Sequence, residues 1–476
     1  MRRAETAVVV GGGAAGLAAA LVLRDAGVET TLLEASEKPG GKLGTLREEG
    51  FLLETSAIGL LDREGELQPL CRRLGLELLP AREGAKERWV LRDGRVHALP
   101  GSLPALIGTR LLSLGEKLAL AGEPFRRPRR AREAAGAASS AEASAGADES
   151  VEAFFARRLG PGGPFLASAL QTGIYAGDPA QLEVGAAFPS LARLERAHGS
   201  LLRGAAREAR ARRQARLAMG LPARARLSSF RGGMQELTSA LARELGPSVR
   251  TRAPAVWLRR AGQRFRIGLV REGEPAEIDA DAVVVALPAP QAAALVQPLD
   301  AALAARLGEL RAAPIALVHI GVEEALLPRP ARGFGLLAPG RPVVGTLYPG
   351  ALWEGRAPPG AALLSSLVGG ALHPRAAALP DAELVALVRA HLEAVLGLPA
   401  AAPVLLTRVV RWPQAIPQYT LGHAARVATI DRLAALHPGL ALAGASLHGV
   451  SVIDCLRDGA RAAQVAAGLN GGAVHS

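Results

Sequence analysis

Residues 7–36, AVVVGGGAAGLAAALVLRDAGVETTLLEAS, determine the fold that we expect for this chain. A β-branched run ends in three glycines, a segment of helical period follows from Gly16, and a second apolar run ends at Glu34. The order is therefore strand, glycine turn, helix and strand. The turn carries the pattern G-x-G-x-x-G at Gly11, Gly13 and Gly16, and an acid stands eighteen residues after the last glycine. This combination is typical of a dinucleotide-binding unit.

Each residue type in this motif has a mechanical role. Gly11 permits the tight turn, Gly13 lets the backbone approach a pyrophosphate, and Gly16 lets the helix pack closely on the strand. The helix N-terminus supplies free N–H groups and a positive dipole to the phosphates. Glu34 is expected to accept hydrogen bonds from the ribose hydroxyls. A glycine turn that serves only core packing is the alternative, and the complete strand–helix–strand unit argues against it.

A secretory signal peptide is a second alternative for the same residues. Met1-Arg2-Arg3 precedes seventeen mostly apolar residues, 7–23, which is a charge and length pattern of such signals. Glycines at fixed spacing inside the apolar run, and the acid that completes the unit, favour the dinucleotide site.

Length and composition limit the class of protein. A chain of 476 residues predicts two or three domains, and a hydrophobic content of 49% is sufficient for globular folding. No window offers the roughly 20 uninterrupted apolar residues of a spanning helix. The two cysteines, Cys71 and Cys455, argue against a disulfide framework and fit a reducing compartment. Neither lies in a metal-ligand spacing, and we predict no metal site.

The chain is strongly basic, with a formal net charge of +12. Only four of its 56 basic residues are lysine, and aromatic residues make up 3% of the chain. Nucleic-acid binding would require a basic face interleaved with aromatics, and no recognisable module is present. An anionic membrane surface or an anionic substrate explains the charge better.

The segment 88–130 predicts a hairpin and an amphipathic helix. Asp93-Gly94 is a turn signal between two short strands. Apolar residues then recur at helical intervals, and these are Leu103, Leu106, Ile107, Leu111, Leu114 and Leu118. A basic cluster follows at 126–130. Such a stretch is typical of a protein that rests on a membrane, and equally of an ordinary surface helix.

The remaining chain returns to an α/β pattern after a low-complexity tract. Residues 131–150 are rich in Ala, Ser, Gly and Glu and predict a flexible insertion. From residue 228 onward, glycine turns, helices and buried strands alternate, and the last unit is a strand, a glycine-bearing loop and a helix. A dinucleotide domain assembled from the first, middle and last thirds is the simplest architecture.

Several particular stretches resemble the oxygen-dependent protoporphyrinogen oxidases, within the monoamine oxidase and phytoene desaturase superfamily of flavoproteins. The resemblance covers nearly the whole chain. Its most specific stretches are QTGIYAGDPAQLEVGAAFPSL (171–191), SFRGGMQEL (229–237), AIPQYTLGH (415–423) and LAGASLHGVSVIDCL (442–456). The glycine motif is shared by the superfamily, whereas 171–191 and 415–423 are more particular to the porphyrinogen oxidases.

The resemblance implies an α/β molecule with a discontinuous Rossmann-like FAD-binding domain, an α+β substrate domain and a helical membrane-binding domain. The FAD domain is expected at 1–75, 226–290 and 435–476, and the substrate domain at 76–87 and 291–434. The helical domain is expected at 88–225, with the insertion 131–150 inside it.

The resemblance also implies the residues of the site. The cofactor FAD is expected to contact Gly11, Gly12, Gly13, Ala14, Ala15, Gly16, Glu34, Ala35, Lys42, Ser56, Ala57, Ile58, Gly59, Ala445, Val450, Ser451 and Val452. The substrate is expected to contact Arg88, Gly173, Leu337, Leu347 and Leu367. Arg88 would pair with a propionate, Gly173 would pack on the tetrapyrrole, and the leucines would clamp the macrocycle. A surface charge for the arginine and core packing for the leucines are the alternatives.

One stretch departs from the family pattern. After the strand 51–53 the family reads E-x-G-P followed by Arg or Asn, whereas this chain reads Glu54-Thr55-Ser56-Ala57-Ile58-Gly59. The Gly-Pro turn is missing and Ile58 replaces a residue that is often polar. An arginine there could make a charge-assisted contact of about 1.5–3 kcal/mol, which this chain lacks.

The implied reaction is six-electron oxidation of protoporphyrinogen IX to protoporphyrin IX, with three O₂ reduced to three H₂O₂. Flavin carries this chemistry, so no catalytic side chain is expected. Three alternatives stay open: coproporphyrinogen III as the substrate, an amine oxidase or carotenoid desaturase, and a flavin-free scaffold. Few aromatic residues are present for an amine-oxidase cage. The expected partners are the porphyrinogen, O₂ and an anionic membrane surface. The protein is expected in the cytoplasm, attached peripherally to the inner face of the cell membrane. Dimers occur in this family, so a homodimer and a monomer both stay open.

Overall fold

The computed structural model of the protein describes residues 3–83, 87–100, 105, 108–128 and 149–469. Of the predicted insertion 131–150, only residues 149 and 150 are described. Leu103, Leu106, Ile107 and the last two residues of the basic cluster, 129–130, also lie outside the described residues.

The strands are β1 Thr6–Val10, β2 Glu29–Leu33, β3 Thr45–Glu48, β4 Phe51–Glu54, β5 Leu60–Leu61, β6 Leu79–Pro80, β7 Arg88–Arg92, β8 Arg95–Ala98, β9 Leu227–Ser229, β10 Val249–Arg250, β11 Ala255–Ala261, β12 Arg264–Arg271, β13 Glu274–Ala280, β14 Ala282–Val285, β15 Ala312–Glu323, β16 Gly335–Leu337, β17 Val343–Leu347, β18 Ala361–Gly369, β19 Leu406–Pro417 and β20 Leu440–Leu442.

The α-helices are α1 Ala14–Asp25, α2 Leu67–Leu74, α3 Leu114–Ala121, α4 Val151–Leu159, α5 Gly163–Thr172, α6 Val184–Ala187, α7 Pro189–His198, α8 Leu201–Ala218, α9 Gln235–Leu245, α10 Ala289–Val296, α11 Ala301–Gly308, α12 Pro349–Leu352, α13 Asp381–Leu396, α14 His423–Ala435 and α15 Val452–Ala467.

A five-stranded parallel sheet forms the centre of the first unit, in the order β10-β2-β1-β14-β20. Its strands come from the beginning, the middle and the end of the chain, as the sequence predicted. Because parallel strands connected by helices bury both faces, they read as continuous apolar runs, such as Val8–Val10 and Val283–Val285. We call this part the cofactor unit.

Two different layers cover this sheet. One face packs against α1, α9 and α15, and the other packs against the antiparallel sheet β11-β12-β13 together with α10, α11 and α14. Helices α1 and α15 approach very closely, because a Cβ at Gly459 would lie only 2.0 Å from the carbonyl oxygen of Ala15. Both helices follow strands of the same parallel sheet, so their N-termini lie at the same sheet edge.

A seven-stranded mixed sheet, in the order β19-β15-β18-β17-β16-β7-β8, forms the second unit. Helix α13 covers one of its faces, through buried residues that include Leu384, Val388 and Leu392. The opposite face carries residues 337, 347 and 367. We call this part the substrate unit.

The third unit is helical and consists of α3 to α8, around a core that includes Phe154, Phe155 and Phe188. A buried Arg158–Glu123 ion pair lies within it, and Glu123 also accepts hydrogen bonds from Ser200 and from the first backbone N–H groups of α8. Of the helices that the structure describes, none combines the length and the hydropathy needed to cross a bilayer.

The domain boundaries differ from those predicted. Residues 88–98, assigned to the helical domain, form β7 and β8 of the substrate unit, because β7 pairs with β16. Residues 291–310 and 423–434, assigned to the substrate domain, pack in the core of the cofactor unit. A boundary is set by contacts between segments that are distant in sequence, and a local change of composition does not report these contacts.

Candidate functional site

The glycine motif lies at the carboxyl end of β1, where the sequence predicted it. Gly11 has φ +106°, and a Cβ there would lie 2.5 Å from the carbonyl oxygen of Ala286. A Cβ at Gly16 would lie 1.8 Å from the carbonyl oxygen of Gly11. These two glycines are required by the packing of the turn itself. At Gly13, by contrast, a Cβ would meet no described atom within 4 Å.

The N-terminus of α1 is open toward that free space. Its N-cap is Gly13, which offers no side-chain cap, and its first turn, with Ala14 and Ala15, holds no acidic residue. Among the residues that the structure describes, no side chain therefore accepts from the first N–H groups of the helix, where its positive dipole ends. An open space beside uncapped N–H groups fits a pyrophosphate.

Glu34 lies beside this motif at the end of β2. One carboxylate oxygen accepts a hydrogen bond from the Gly12 N–H at 2.7 Å, and the other accepts from the N–H and the hydroxyl of Ser36, at 2.8 and 2.6 Å. The neighbouring Ala35 is exposed. The carboxylate is thus held half-buried next to the glycine turn, where the ribose of a dinucleotide is expected.

The side chain of Lys42 is hydrogen-bonded inside the protein. Its ammonium group donates hydrogen bonds to the carbonyl oxygens of Gln414, at 2.6 Å, and Ala415, so it joins the glycine doublet 40–41 to β19. Burial lowers the pKa of Lys42. The Ser56 hydroxyl donates to the carbonyl oxygen of Lys42 at 2.6 Å. The two predicted residues Lys42 and Ser56 therefore lie together.

The altered turn 56–59 divides between two units. Ala57 packs against the core of the cofactor unit, whereas Ile58 is buried in a cluster with Leu352 and Trp353, against which Leu347 packs. Gly59 is required by packing, because a Cβ there would lie 2.8 Å from the carbonyl oxygen of Ser228. Ile58 thus extends an apolar surface of the substrate unit and presents no polar group.

The loop 443–451 follows β20 and places the last predicted cofactor residues at the same sheet edge as the glycine motif. Ala445 and Val450 are partly buried in this loop. Ser451 is the N-cap of α15 and forms a capping box with Asp454, and Val452 packs against the core of the cofactor unit. The structure therefore gives Ser451 a capping role in addition to its predicted position near the cofactor.

The three predicted leucines share one face of the seven-stranded sheet. Gly345 pairs with Leu337 on one side and with Leu367 on the other, so these leucines point the same way. Leu347 stands two residues after Gly345 on β17 and shares that face. All three are only partly buried, although most of their strand neighbours are buried. They give an apolar character to the face opposite the one that α13 covers.

Arg88 and Gly173 adjoin this surface. Arg88 pairs with Gly335, which pairs with Leu347, so Arg88 occupies the same face at its rim. The Arg88 guanidinium is exposed and lies 4.7 Å from the centre of the Phe334 ring. Gly173 is exposed beside Leu337, and a Cβ there would lie 3.5 Å from a Leu337 methyl group. The structure thus brings the five predicted substrate residues together.

Buried polar groups line the junction between the two units. Glu54 accepts hydrogen bonds from Thr45 and from the Met234 N–H, and burial raises its pKa to about 7. His319 is buried on β15 beside Ser365, and burial lowers its pKa to about 4, so its imidazole is neutral. Among the described residues, no group of His, Cys, Asp and Glu side chains is arranged to hold a metal ion.

Sequence reasoning missed the role of β19 and the residues after it. The Trp412 indole donates to the carbonyl oxygen of Thr55 at 2.6 Å, and the carbonyls of 414 and 415 hold Lys42. The Tyr419 hydroxyl contacts the loop 443–451. The family resemblance of the stretch 415–423 is the signal that marks this region in the sequence. It does not reveal the partners, because the hydrogen bond between Ala415 and Lys42 joins residues 373 positions apart.

Comparison with known proteins agrees with this arrangement. A family model for flavin containing amine oxidoreductase matches residues 14–467. The chain is 30% identical to protoporphyrinogen oxidase 1, chloroplastic, of Arabidopsis thaliana, over 94% of this chain and 85% of that protein. It is 27% identical to coproporphyrinogen III oxidase of Bacillus subtilis (strain 168), over 95% and 96%.

A solved structure has the same overall fold. It is a crystal structure from Exiguobacterium sp. 255-15, provisionally named a protoporphyrinogen oxidase, with 25% sequence identity and a TM-score of 0.77. The alignment covers 99% of this chain and 100% of that one. With a family model spanning most of its length and a glycine cradle that fits a dinucleotide, the chain is a flavoprotein oxidoreductase with FAD as its cofactor, and it belongs to the flavin containing amine oxidoreductase family.

Proposed function

We propose that the protein oxidises protoporphyrinogen IX to protoporphyrin IX, with coproporphyrinogen III as the second candidate substrate. The observation that carries this proposal is the half-buried apolar face of Leu337, Leu347 and Leu367, with Arg88 at its rim and Gly173 against it. A porphyrinogen is an apolar macrocycle with carboxylate arms, and its apolar body and negative charge complement the leucines and the arginine.

The residues of the chain bind and orient the substrate. The leucine face excludes water from one side of the macrocycle, and Gly173 leaves room for close approach because it has no side chain. Arg88 pairs with a propionate, since a planar guanidinium binds carboxylates bidentately. When bound, FAD supplies two-electron oxidation with O₂ as the final acceptor, and three rounds convert porphyrinogen and three O₂ into porphyrin and three H₂O₂.

The names of the relatives favour both porphyrinogens over other substrates. One relative is a protoporphyrinogen oxidase and another a coproporphyrinogen III oxidase, at similar identity. Coproporphyrinogen III carries two more propionates than protoporphyrinogen IX, and these would need cationic or solvent-exposed positions at the rim of the leucine face.

The test is a fluorescence assay with each porphyrinogen, because only the oxidised porphyrin fluoresces. We expect purified, yellow protein to produce porphyrin fluorescence in air and to form three H₂O₂ per porphyrin. A yellow protein inactive on both porphyrinogens but active on an amine or a carotenoid precursor would replace this proposal by the alternative oxidoreductases. A colourless protein that does not take up FAD would leave only the scaffold hypothesis.

A peripheral membrane attachment is proposed for the helical unit, on the inner face of the cell membrane. In and after α3, Leu114 is 74% exposed, Leu118 66% and Phe125 86%. Lys117, Arg126 and Arg127 lie in the same segment, and Arg203 of α8 donates to the carbonyl oxygen of Pro124. Exposed apolar side chains beside cations are suited to the interface of an anionic bilayer.

Co-sedimentation with vesicles that contain about 30% phosphatidylserine tests this attachment. Leu118→Glu and Phe125→Glu should each weaken binding about tenfold, since each removes an inserted apolar side chain. Leu436→Glu is the matched control, because Leu436 is 70% exposed but belongs to the cofactor unit. Equal binding of all variants, or no binding by the parent, would refute the proposal. Light scattering in solution can distinguish the homodimer from the monomer.

A further inference from the structure

We infer that Tyr419 is a positioning residue for the cofactor, which acts by closing the loop 443–451. Tyr419 follows β19 of the substrate unit and its ring packs in the core of the helical unit, whereas the loop belongs to the cofactor unit. The contact therefore crosses from one unit to the other at the place where residues 445 and 450–452 are predicted to face FAD.

The hydroxyl of Tyr419 makes two hydrogen bonds to this loop. It donates to the carbonyl oxygen of Ala445 at 2.7 Å and accepts from the N–H of Gly449 at 2.7 Å. One phenolic oxygen thus fixes the distance between the two ends of a five-residue segment, 445–449. Tyr419 is only 2% exposed, so water does not compete for either bond.

His423 supports the same arrangement. Its ring stacks on the Tyr419 ring, with centres 3.9 Å apart and an interplanar angle of 15°. Its Nε2 lies 3.2 Å from the carbonyl oxygen of Leu447, which can only accept, so Nε2 carries the proton. Burial lowers the pKa of His423 to about 4, and the ring is neutral. The middle of the segment is thereby held as well as its ends.

The bonds from Tyr419 and His423 add to one backbone hydrogen bond inside the loop, from the Leu447 N–H to the Gly444 carbonyl oxygen at 3.1 Å. Gly444 and Gly449 have φ values of +124° and +138°, which most residues avoid, and they allow the chain to reverse direction between β20 and α15. Without the Tyr419 hydroxyl, the Ala445 carbonyl and the Gly449 N–H would each lose the partner described above. A loop that samples other conformations would order only when FAD binds, and that ordering weakens affinity.

The experiment compares Tyr419→Phe with Tyr175→Phe in the holoprotein. Tyr175 belongs to the same aromatic cluster, is equally buried and donates its hydroxyl to the Ala187 carbonyl of the helical unit at 3.0 Å. Each variant removes one buried hydroxyl, and of these two hydroxyls that of Tyr419 is hydrogen-bonded to the loop, whereas that of Tyr175 is bonded to Ala187. The readouts are the dissociation constant of FAD, the flavin absorption spectrum and the flavin midpoint potential.

We expect Tyr419→Phe to raise the FAD dissociation constant about fivefold to tenfold, with a changed spectrum and potential, and Tyr175→Phe to leave all three unchanged. His423→Phe keeps a stacked ring but loses the bond to Leu447, and we expect it to weaken FAD in the same direction. If Tyr419→Phe does not fold, the FAD affinity of His423→Phe tests the inference in its place.

Parent-like FAD binding and spectrum in Tyr419→Phe, or in His423→Phe if only that variant folds, would overturn the inference. An equal effect of Tyr175→Phe would also overturn it, since any loss of a buried hydroxyl would then suffice. None of these readouts uses a porphyrinogen, so their failure is distinguishable from a failure of the proposed reaction.

Discussion

Glu34 shows how one side chain organises the cofactor end of the molecule. Its two oxygens join the glycine turn, through Gly12, to the residues that follow β2, through Ser36. A carboxylate that accepts several hydrogen bonds in a half-buried place is oriented before the ligand arrives, and pre-organisation of this kind strengthens binding.

Glu34→Ala should weaken FAD binding about tenfold, because the ribose and Gly12 both lose their acceptor. FAD retained after gel filtration, measured by its visible absorbance, checks this prediction. Glu37→Ala is the matched control, since Glu37 lies three residues later in an exposed ion pair with Arg252. Complete FAD retention by Glu34→Ala would mean that another group holds the ribose.

Arg88→Ala should raise KM for the porphyrinogen about threefold to tenfold while bound FAD is unchanged, because an exposed charge-assisted contact is lost. Steady-state fluorescence kinetics measure the effect. Arg259→Ala serves as the control, because Arg259 also lies over an aromatic ring, that of Trp257, but in the cofactor unit. If both variants keep the parent kinetics, Arg88 does not contact the substrate.

At the scale of elements, the contact between α1 and α15 holds the two ends of the cofactor unit together. A Cβ at Gly459 would clash with the backbone of Ala15, which is not free to move because Gly16 is itself packed on Gly11. The closeness of these helices keeps the glycine motif and the loop 443–451 at adjacent positions on the sheet edge.

Gly459→Ala should therefore destabilise the protein by about 2 kcal/mol or more through overpacking. Gly308→Ala, at the end of α11, meets no described atom within 4 Å and should be neutral or stabilising by up to about 1 kcal/mol. Thermal unfolding of both variants measures the difference. An unchanged midpoint for Gly459→Ala would show that the two helices can separate freely.

His448 connects the loop 443–451 to α14 and α15. Its Nδ1 lies 2.9 Å from Asp458 and its Nε2 lies 3.5 Å from Asp431, and Asp458 also accepts from the Gly444 N–H. Burial lowers the pKa of His448, but the hydrogen bonds to Asp431 and Asp458 raise it further than burial lowers it, to about 9, with Arg461 opposing them.

A raised folded-state pKa determines the sign of the pH dependence. The ion pairs of His448 contribute fully below the unfolded pKa of about 6.5 and are lost as the pH rises through about 9. Because the imidazole side chain is 29% exposed, screening limits the effect to about 1 kcal/mol. Between pH 7 and 10 the parent should lose more stability than His448→Gln, measured by thermal unfolding. Parallel pH curves would contradict this prediction.

At the scale of the whole molecule, β19 joins the substrate unit to three segments predicted to surround FAD. The strand reaches Lys42 and Thr55 through carbonyl and indole hydrogen bonds, and Tyr419, two residues after its end, reaches the loop 443–451. Since these segments come from opposite ends of the chain, the cofactor is expected to act as a common ligand for the junction between units.

FAD should therefore stabilise the whole protein against unfolding. At one hundred times its dissociation constant, the expected gain is about 2.7 kcal/mol. The thermal midpoint measured against FAD concentration checks this value. Riboflavin at the same concentration is the control ligand, because it lacks the pyrophosphate and the adenosine that the glycine motif and Glu34 are expected to hold. An equal shift with riboflavin would show that those residues do not contribute.

Much of the cofactor unit could be predicted from the sequence, and the assembly of the units could not. The glycine motif, its strand and helix, and Glu34 lie within 30 residues, so their geometry follows from local chemistry. The predicted leucines came from a family resemblance, and only the strand pairing at Gly345 shows that they share a face. The hairpin of β7 and β8 could be predicted from its turn, but its attachment to the seven-stranded sheet depends on pairing between Arg88 and Gly335.

The sequence by itself determined the dinucleotide-binding motif at the end of the first strand, because turn geometry, helix dipole and a nearby acid are properties of neighbouring residues. Only the tertiary structure decided where Lys42 donates its hydrogen bonds, what Ile58 packs against and how Tyr419 closes the final loop. Those contacts join residues hundreds of positions apart, and their geometry exists only when the separate units have packed against one another.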